Sequence, residues 1–261
     1  MIFKDAAIRF FSVLYIVFIA VTCAFMFIVA LIIRIGTHFF DKRLVILSLF
    51  SSFWASLYIW CVPLWSVRVI GRHKMNMNKC YVIVSNHQSQ LDILVAYRLF
   101  FPFRWISKAE VFRLPFIGWN MRLNGHVKLK RRDKKSTQQM MAQCENLLMD
   151  DISIMIFPEG TRSRTGLLKS FKPGAFILAK KIKKPILPLV INNTKNALPK
   201  HSLRLYGAHQ MEIRVLDEIP YSHFADKEVQ EISEMVQERI AAHVNEHKML
   251  EQESPVSAHA D

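Results

Sequence analysis

The sequence predicts an α/β domain, a mixed and largely parallel sheet flanked by helices, preceded by a membrane-embedded hairpin of two N-terminal helices. Three observations carry that prediction. Two long uncharged runs lie within the first 65 residues. Beyond them, short stretches rich in β-branched and aromatic residues alternate with segments of helical periodicity, the pattern of strands joined by crossover helices. Two of those stretches, 81–84 and 152–157, are apolar but for Ser153, as expected of strands buried on both faces.

The first uncharged run, Phe10 to Ile33, has 24 residues, and as a helix it would reach about 36 Å, longer than a hydrocarbon core of ~30 Å. The second, Leu44 to Trp65, has 22 residues, with Trp54, Trp60 and Trp65 spaced along it as interface-seeking aromatics. Together they predict a hairpin over residues 1–70, with helices about 10–33 and 44–65. Lys4, Arg9, Arg68, Arg72 and Lys74 outnumber Arg34, Lys42 and Arg43 in the connector, which places the main domain on the cytoplasmic side of a cytoplasmic (inner) membrane. Residues 71–250 then form the main domain, and the polar stretch 251–261 a disordered tail.

Within the main domain, Val67 to Arg72 reads as an edge strand and Tyr81 to Val84 as a buried one. Ser85 and Asn86 are good N-cap types for a helix carrying Leu91, Leu94, Val95 and Leu99. Phe103 to Ile106 is a strand ending at Ser107-Lys108, Val111 to Trp119 a short helix or loop, and Gly125 to Leu129 a strand ending in a basic cluster. Ser136 is the expected cap of a helix with Met140, Met141, Cys144, Leu147 and Leu148 inward. Ile152 to Phe157 is a strand, and Pro173-Gly174 opens a helix ending in lysines. Pro188 marks the strand Pro185 to Ile191 as an edge or a bulge. Strands are expected at 203–206 and 211–216, and a last helix with Val229, Ile232, Val236, Ile240 and Val244 on one stripe.

Composition narrows the function. The net charge is +14, from 35 basic and 21 acidic residues, while 51% of residues are hydrophobic. A basic, greasy chain suits an anionic membrane surface. No zinc-finger spacing, RNA-binding signature or basic zipper occurs, so no nucleic-acid partner is expected. Cys23, Cys61, Cys80 and Cys144 show no paired spacing, which argues against a disulfide framework or a metal site.

The chemistry concentrates at Asn86 to Asp92. His87 stands just past a strand end and Asp92 five residues on, about 140° apart if both were helical. They meet only if His87 lies on the turn before the helix and folds back. The carboxylate would then hold one ring nitrogen and leave the other to take a proton.

Four segments in order resemble the glycerolipid acyltransferase family that includes 1-acyl-sn-glycerol-3-phosphate acyltransferases. Asn86-His87-Gln88-Ser89-Gln90-Leu91-Asp92 matches the family's NHxxxxD box. Gly125 to Arg131 is similar to its block of Gly, aliphatics and a terminal Arg, although Lys130 stands where many members carry an acid. Phe157-Pro158-Glu159-Gly160-Thr161-Arg162-Ser163 is identical to its FPEGTRS box, and Pro185 to Val190 is like its proline-containing strand. The match covers roughly Gly71 to Ile219.

The resemblance implies transfer of an acyl group from a thioester, acyl-CoA or acyl carrier protein, to the sn-2 hydroxyl of a lysophosphatidic acid, with membrane lipids as surroundings and no cofactor. His87 would be the base and Asp92 its orienting acid. Arg131 and Arg162 would bind the phosphate, helped by Lys108 and Lys130. Glu159 would accept from glycerol hydroxyls, beside Gly160 and Thr161 of the same box. Another lysophospholipid or lyso-aminolipid acceptor is the near alternative. A serine hydrolase using Ser85 or Ser89 with His87 lacks a GxSxG elbow, and a non-catalytic membrane scaffold would not need both polar boxes.

Overall fold

The computed structural model describes residues 2–163, 167–198 and 207–245, with side chains from residue 11 onward. The expected strand at 203–206 and the tail from 251 lie outside the described residues. The strands β1 (Trp65–Ile70), β2 (Val82–Ser85), β3 (Arg104–Lys108), β4 (Val127–Leu129), β5 (Ile154–Ile156), β6 (Ile186–Asn192) and β7 (His209–Val215) form one sheet in the order β1-β7-β6-β2-β5-β3-β4. β2 to β6 all run parallel, while β7 pairs antiparallel with β6 and parallel with β1. This is the mixed, largely parallel sheet that the sequence predicts.

The helices are α1 (Ile2–Gly36), α2 (Val45–Trp60), α3 (Leu91–Tyr97), α4 (Ile117–Leu123), α5 (Lys134–Met149), α6 (Gly174–Ile182), α7 (Thr194–Ala197) and α8 (Val229–Ala241). Two-residue alternation along the strands divides the core between the faces of the sheet. Ile83 turns toward α2 and α3, packing with Ile59, Leu91 and Val95. Val82 and Val84 turn the other way, toward Cys144 and Leu148 of α5, Phe176 of α6 and Val236 of α8. Each such side chain contributes about 1.5–3 kcal/mol by complete burial. The C-terminal amphipathic stripe packs as expected, and a reciprocal Glu228–Glu231 capping box opens its helix.

The two N-terminal helices fall on the two predicted runs. From Phe11 to Gly36, α1 is long and apolar enough to cross a membrane by length and composition. One side of it rests on α2 and α4, with Cys23 Sγ 3.2 Å from Tyr58 Oη and Phe27 against Phe116 and Trp119. The other side exposes Val13, Val17, Val21, Ile28, Ile32 and Ile35.

α2 is shorter than the run 44–65, and at ~1.5 Å per residue it reaches roughly 24 Å. Its Ser48, Ser51, Ser52 and Ser56 are buried against the domain. Ser48 accepts from Arg104 Nη1 at 2.9 Å, and Ser51 accepts from Asn124 Nδ2 at 3.1 Å. Arg104 also donates to the Arg43 carbonyl at 2.6 Å, and burial pushes its guanidinium down to about 10. Asp41 accepts from the amides of Val45 and Ile46, both at 2.8 Å, and so closes the N-terminus of α2. The serines that interrupt this apolar run are the face by which it joins the domain. β1, which precedes residue 71, pairs in parallel with β7.

Of three local expectations two are corrected and the third, an edge or a bulge at Pro188, is narrowed to the bulge. Asp133, not Ser136, caps α5, its carboxylate accepting from Ser136 N at 3.0 Å. Ser136 Oγ instead accepts from Lys130 N at 2.9 Å. Ser85 and Asn86 do not start a helix; α3 begins at Leu91, after a loop. Pro188 sits in an interior strand rather than at an edge. The missing N–H is tolerated because the β6–β7 ladder is interrupted there. The pairing passes from Leu189↔Val215 to the bridge Ile186↔Ile219, so one extra residue is accommodated on the later segment, as in a bulge.

Candidate active site

Parallel strands bring the chemistry-bearing residues to one edge of the sheet. β2, β5, β3 and β4 end, respectively, just before His87, just before the segment 157–163, at Lys108, and just before Arg131. Ligands of open α/β sheets bind outside such carboxyl ends.

The loop 86–90 has fixed geometry. Asn86 acts as a further rung between β2 and β6: its Nδ2 donates to the Ile191 carbonyl and its Oδ1 accepts from Ile191 N, both at 2.8 Å. The chain then turns so that His87 Nδ1 reaches Asp92 Oδ2 at 2.7 Å. Asp92 is fully buried, and Oδ2 also accepts from Gln88 N at 2.7 Å and Ser89 N at 2.9 Å. Its other oxygen, Oδ1, accepts from Thr194 Oγ1. A group that accepts from two amides and a hydroxyl is a carboxylate. Nδ1 of His87 therefore carries the hydrogen, and Nε2 of the neutral ring carries the lone pair.

The imidazole is also held by its face. Phe157 stacks on it with ring centroids 4.1 Å apart and planes within 9°, and Trp105 stacks in turn on Phe157. The His87 side chain keeps 14% exposure. One edge of the ring is tied to a carboxylate, one face is covered, and the remaining nitrogen is a base with an exit.

Glu159 joins the two boxes. Its Oε1 accepts from His87 N at 2.8 Å and its Oε2 from Lys169 N at 3.2 Å, while Ser163 N donates to the His87 carbonyl at 2.8 Å. Burial pushes the Glu159 carboxyl up, and the two amide donors pull it down. Both oxygens thus already bind backbone, which makes Glu159 a brace for the His87 loop. Among the described residues no ion pair links it to Arg162. Gly160 has φ +68°, and a Cβ there would stand 2.9 Å from Lys172 Nζ. Lys169 Nζ donates to Thr161 Oγ1 at 3.2 Å and to the Arg162 carbonyl at 3.0 Å.

Of the remaining expected cations, Arg162 follows the strand next to β2 and is half-buried. Lys108 is exposed and paired with Glu110 at 3.3 Å. Arg131 is exposed at the end of β4, three strands from β2 and hence roughly 14 Å away at ~4.8 Å per strand. Of these expected cations, Arg162 is thus the one nearest to His87 in strand order. Lys130 pairs with Asp133.

Sequence reasoning missed Thr194, Lys169 and Lys172. The two lysines lie within ten residues of Arg162 and could have been included as a basic continuation of its box. Thr194 has no local signal, its partner being 102 positions away. The serines behave otherwise than a hydrolase requires: Ser85 Oγ donates to the Asn86 carbonyl at 3.2 Å and Ser89 Oγ to the Leu198 carbonyl at 3.1 Å. All four cysteines are free thiols. Among the described residues, no three His, Cys, Asp or Glu side chains are grouped so as to hold a metal ion.

Comparison with known proteins points the same way. A family model described as Acyltransferase matches residues 66–192. A 1-acyl-sn-glycerol-3-phosphate acyltransferase of Chlamydomonas reinhardtii is 35% identical over 190 residues, covering 72% of this chain and 57% of that one. The enzyme of the same description from Saccharomyces cerevisiae is 34% identical, covering 67% of this chain and 58% of its own length. A chloroplastic one from Arabidopsis thaliana is 39% identical, with coverage of 58% and 42%. The chain thus spans about half the length of the curated relatives it matches. The crystal structure of the 1-acyl-sn-glycerophosphate (LPA) acyltransferase PlsC from Thermotoga maritima shares the fold, with a TM-score of 0.73 at 22% identity, over 92% of this chain and 95% of that one.

Proposed function

We propose that this chain, whose residues 66–192 belong to the acyltransferase family, transfers a fatty acyl group from a thioester to the sn-2 hydroxyl of 1-acyl-glycerol-3-phosphate, giving phosphatidic acid. The observation that carries the reading is the His87 Nδ1–Asp92 Oδ2 bond of 2.7 Å. An alcohol attacks a thioester only as its proton is removed, and this bond presents Nε2 as the acceptor.

His87 takes the hydroxyl proton as the oxygen attacks the thioester carbonyl. Asp92 stays ionised and stabilises the imidazolium. When the tetrahedral intermediate collapses, the C–S bond breaks and the departing thiolate receives the proton. The acceptor attacks directly, so no enzyme nucleophile or cofactor enters the step. Arg162, with Lys108 and Arg131 farther along the same sheet edge, binds the phosphate of the acceptor, and Thr161 and Gly160 line its approach. The donor is acyl-CoA or an acyl carrier protein, both acidic partners for a chain of net charge +14. The exposed face of α1 holds the protein in the cytoplasmic membrane, with the sheet on the cytoplasmic side, where acceptor and product both reside.

The test is purified protein with a radiolabelled acyl donor and a panel of lysophospholipids. Phosphatidic acid formed from 1-acyl-glycerol-3-phosphate is the expected product. Exclusive acylation of a different lysophospholipid overturns the acceptor assignment, and absence of acyl transfer overturns the enzyme.

A further inference from the structure

We infer that Thr194 is a positioning residue for the catalytic pair, acting through Asp92; the inference rests on the general-base reading above. Asp92 Oδ2 collects three donors, His87 Nδ1, Gln88 N and Ser89 N, all from residues just upstream of it. Oδ1 is served by Thr194 Oγ1, from α7 beyond β6. Both residues are fully buried. A carboxylate has no hydrogen to give, so the hydroxyl donates. This bond fixes rotation of the carboxylate about Cβ–Cγ and so the direction in which Oδ2 meets the imidazole.

Two further contacts tie the same loop to the same stretch of chain. Asn86 pairs with the Ile191 backbone, and Ser89 Oγ donates to the Leu198 carbonyl at 3.1 Å. β6 and α7 therefore form the far half of a clamp on 86–92. From it the Thr194 side chain bonds the catalytic carboxylate directly. A β-branched residue suits the task, because its χ1 is stiff and holds the hydroxyl on target.

Without that hydroxyl, Oδ1 becomes a buried acceptor with no partner. The carboxylate relieves this by turning, the Nδ1 contact lengthens, and the imidazolium loses part of its support. His87 then binds its proton less tightly. The charged groups on elements around the pair are unaltered by a change at Thr194. They are Glu159, Arg162 and Lys169 after β5, Lys195 on α7, and His209 and the Glu212–Arg214 pair on β7. α3 itself contributes Asp92 alone, and α2 has no charged residue.

The experiment compares Thr194→Val, which keeps the shape and removes the hydroxyl, with Thr194→Ser, which keeps the hydroxyl. The intact chain is labelled at histidine carbons, and the His87 resonance is identified by its loss in His87→Ala. T194V is expected to lower the His87 titration midpoint. It is also expected to reduce kcat about tenfold while leaving the acceptor KM unchanged. T194S recovers most of both. A midpoint in T194V that is unchanged or raised, or a T194S as impaired as T194V, overturns the inference, since mere destabilisation would leave the titration of folded protein where it was. The titration needs no substrate. A wild-type protein that acylates nothing, yet shows the T194V shift, would sink the proposed activity and leave the positioning role standing.

Discussion

His87 follows β2 and His126 precedes β4, and each is held by hydrogen bonds, yet only one of the two is equipped to move a proton. His126 Nδ1 accepts from Trp105 N at 3.2 Å, and Nε2 meets Tyr97 Oη at 3.1 Å. Both partners are neutral. Burial, with Arg104 nearby, pushes this imidazole down to about 3, so it stays uncharged. His87 has a buried carboxylate on one nitrogen and partial exposure for the other. The difference teaches that burial and hydrogen bonding make a histidine structural, whereas an anionic partner with an open second nitrogen makes it a base.

Substitutions can break this contrast from either side. His87→Ala removes the base and is expected to lower kcat by about 10³-fold or more, with folding and membrane association intact. Activity within a few-fold of wild type would refute the assignment. Asp92→Asn gives His87 a neutral partner, the condition of His126. It should cost about 10²-fold in kcat and push the His87 titration downward. A variant with normal turnover would show that the carboxylate has no part in the chemistry.

Arg162→Ala leaves the pair intact and should act on binding, raising the acceptor KM about tenfold through the lost phosphate contact. If only acyl-donor kinetics changed, the phosphate assignment would fall. The smallest effect on turnover belongs to His126→Gln, whose amide can still serve both partners. Its signature is in stability. The unfolded chain binds a proton at position 126 as pH falls below 6.5, while the folded His126 resists until about 3. Stability is thus complete above 6.5 and declines on acidification by ~1.4 kcal/mol per unit of pH from this group. The Gln variant should flatten the fall of the melting temperature across that window. An unchanged slope would mean that His126 protonates in the fold.

The elements around this contrast were unevenly legible in the sequence. Strands β2 and β5 stand out because their runs are almost wholly apolar, and the His87–Asp92 pair because the five-residue spacing allows a fold-back. The fit of α2 to the domain was hidden, since Ser48, Ser51, Ser52 and Ser56 read as tolerated breaks in a greasy run until Arg104 and Asn124 are seen facing two of them. Asp133 outcompeted Ser136 as a cap because its side chain sits one residue ahead of the helix, where the free amides point. Thr194 and Asn86 form their bonds across 102 and 105 positions, distances at which spacing carries no information. The bracing contacts of Glu159 are hidden for the same reason: the donors are backbone amides, which no side-chain pattern announces.

The buried Arg104 has a mechanical consequence. It rivets α2 to β3 through Ser48 and the Arg43 carbonyl, and α1 leans on both α2 and α4. The N-terminal helices and the sheet are thereby one mount that also carries His87. Whatever surface takes up α1 also fixes the bearing and height of His87. Retilting that helix would re-aim the imidazole without altering a single residue around it.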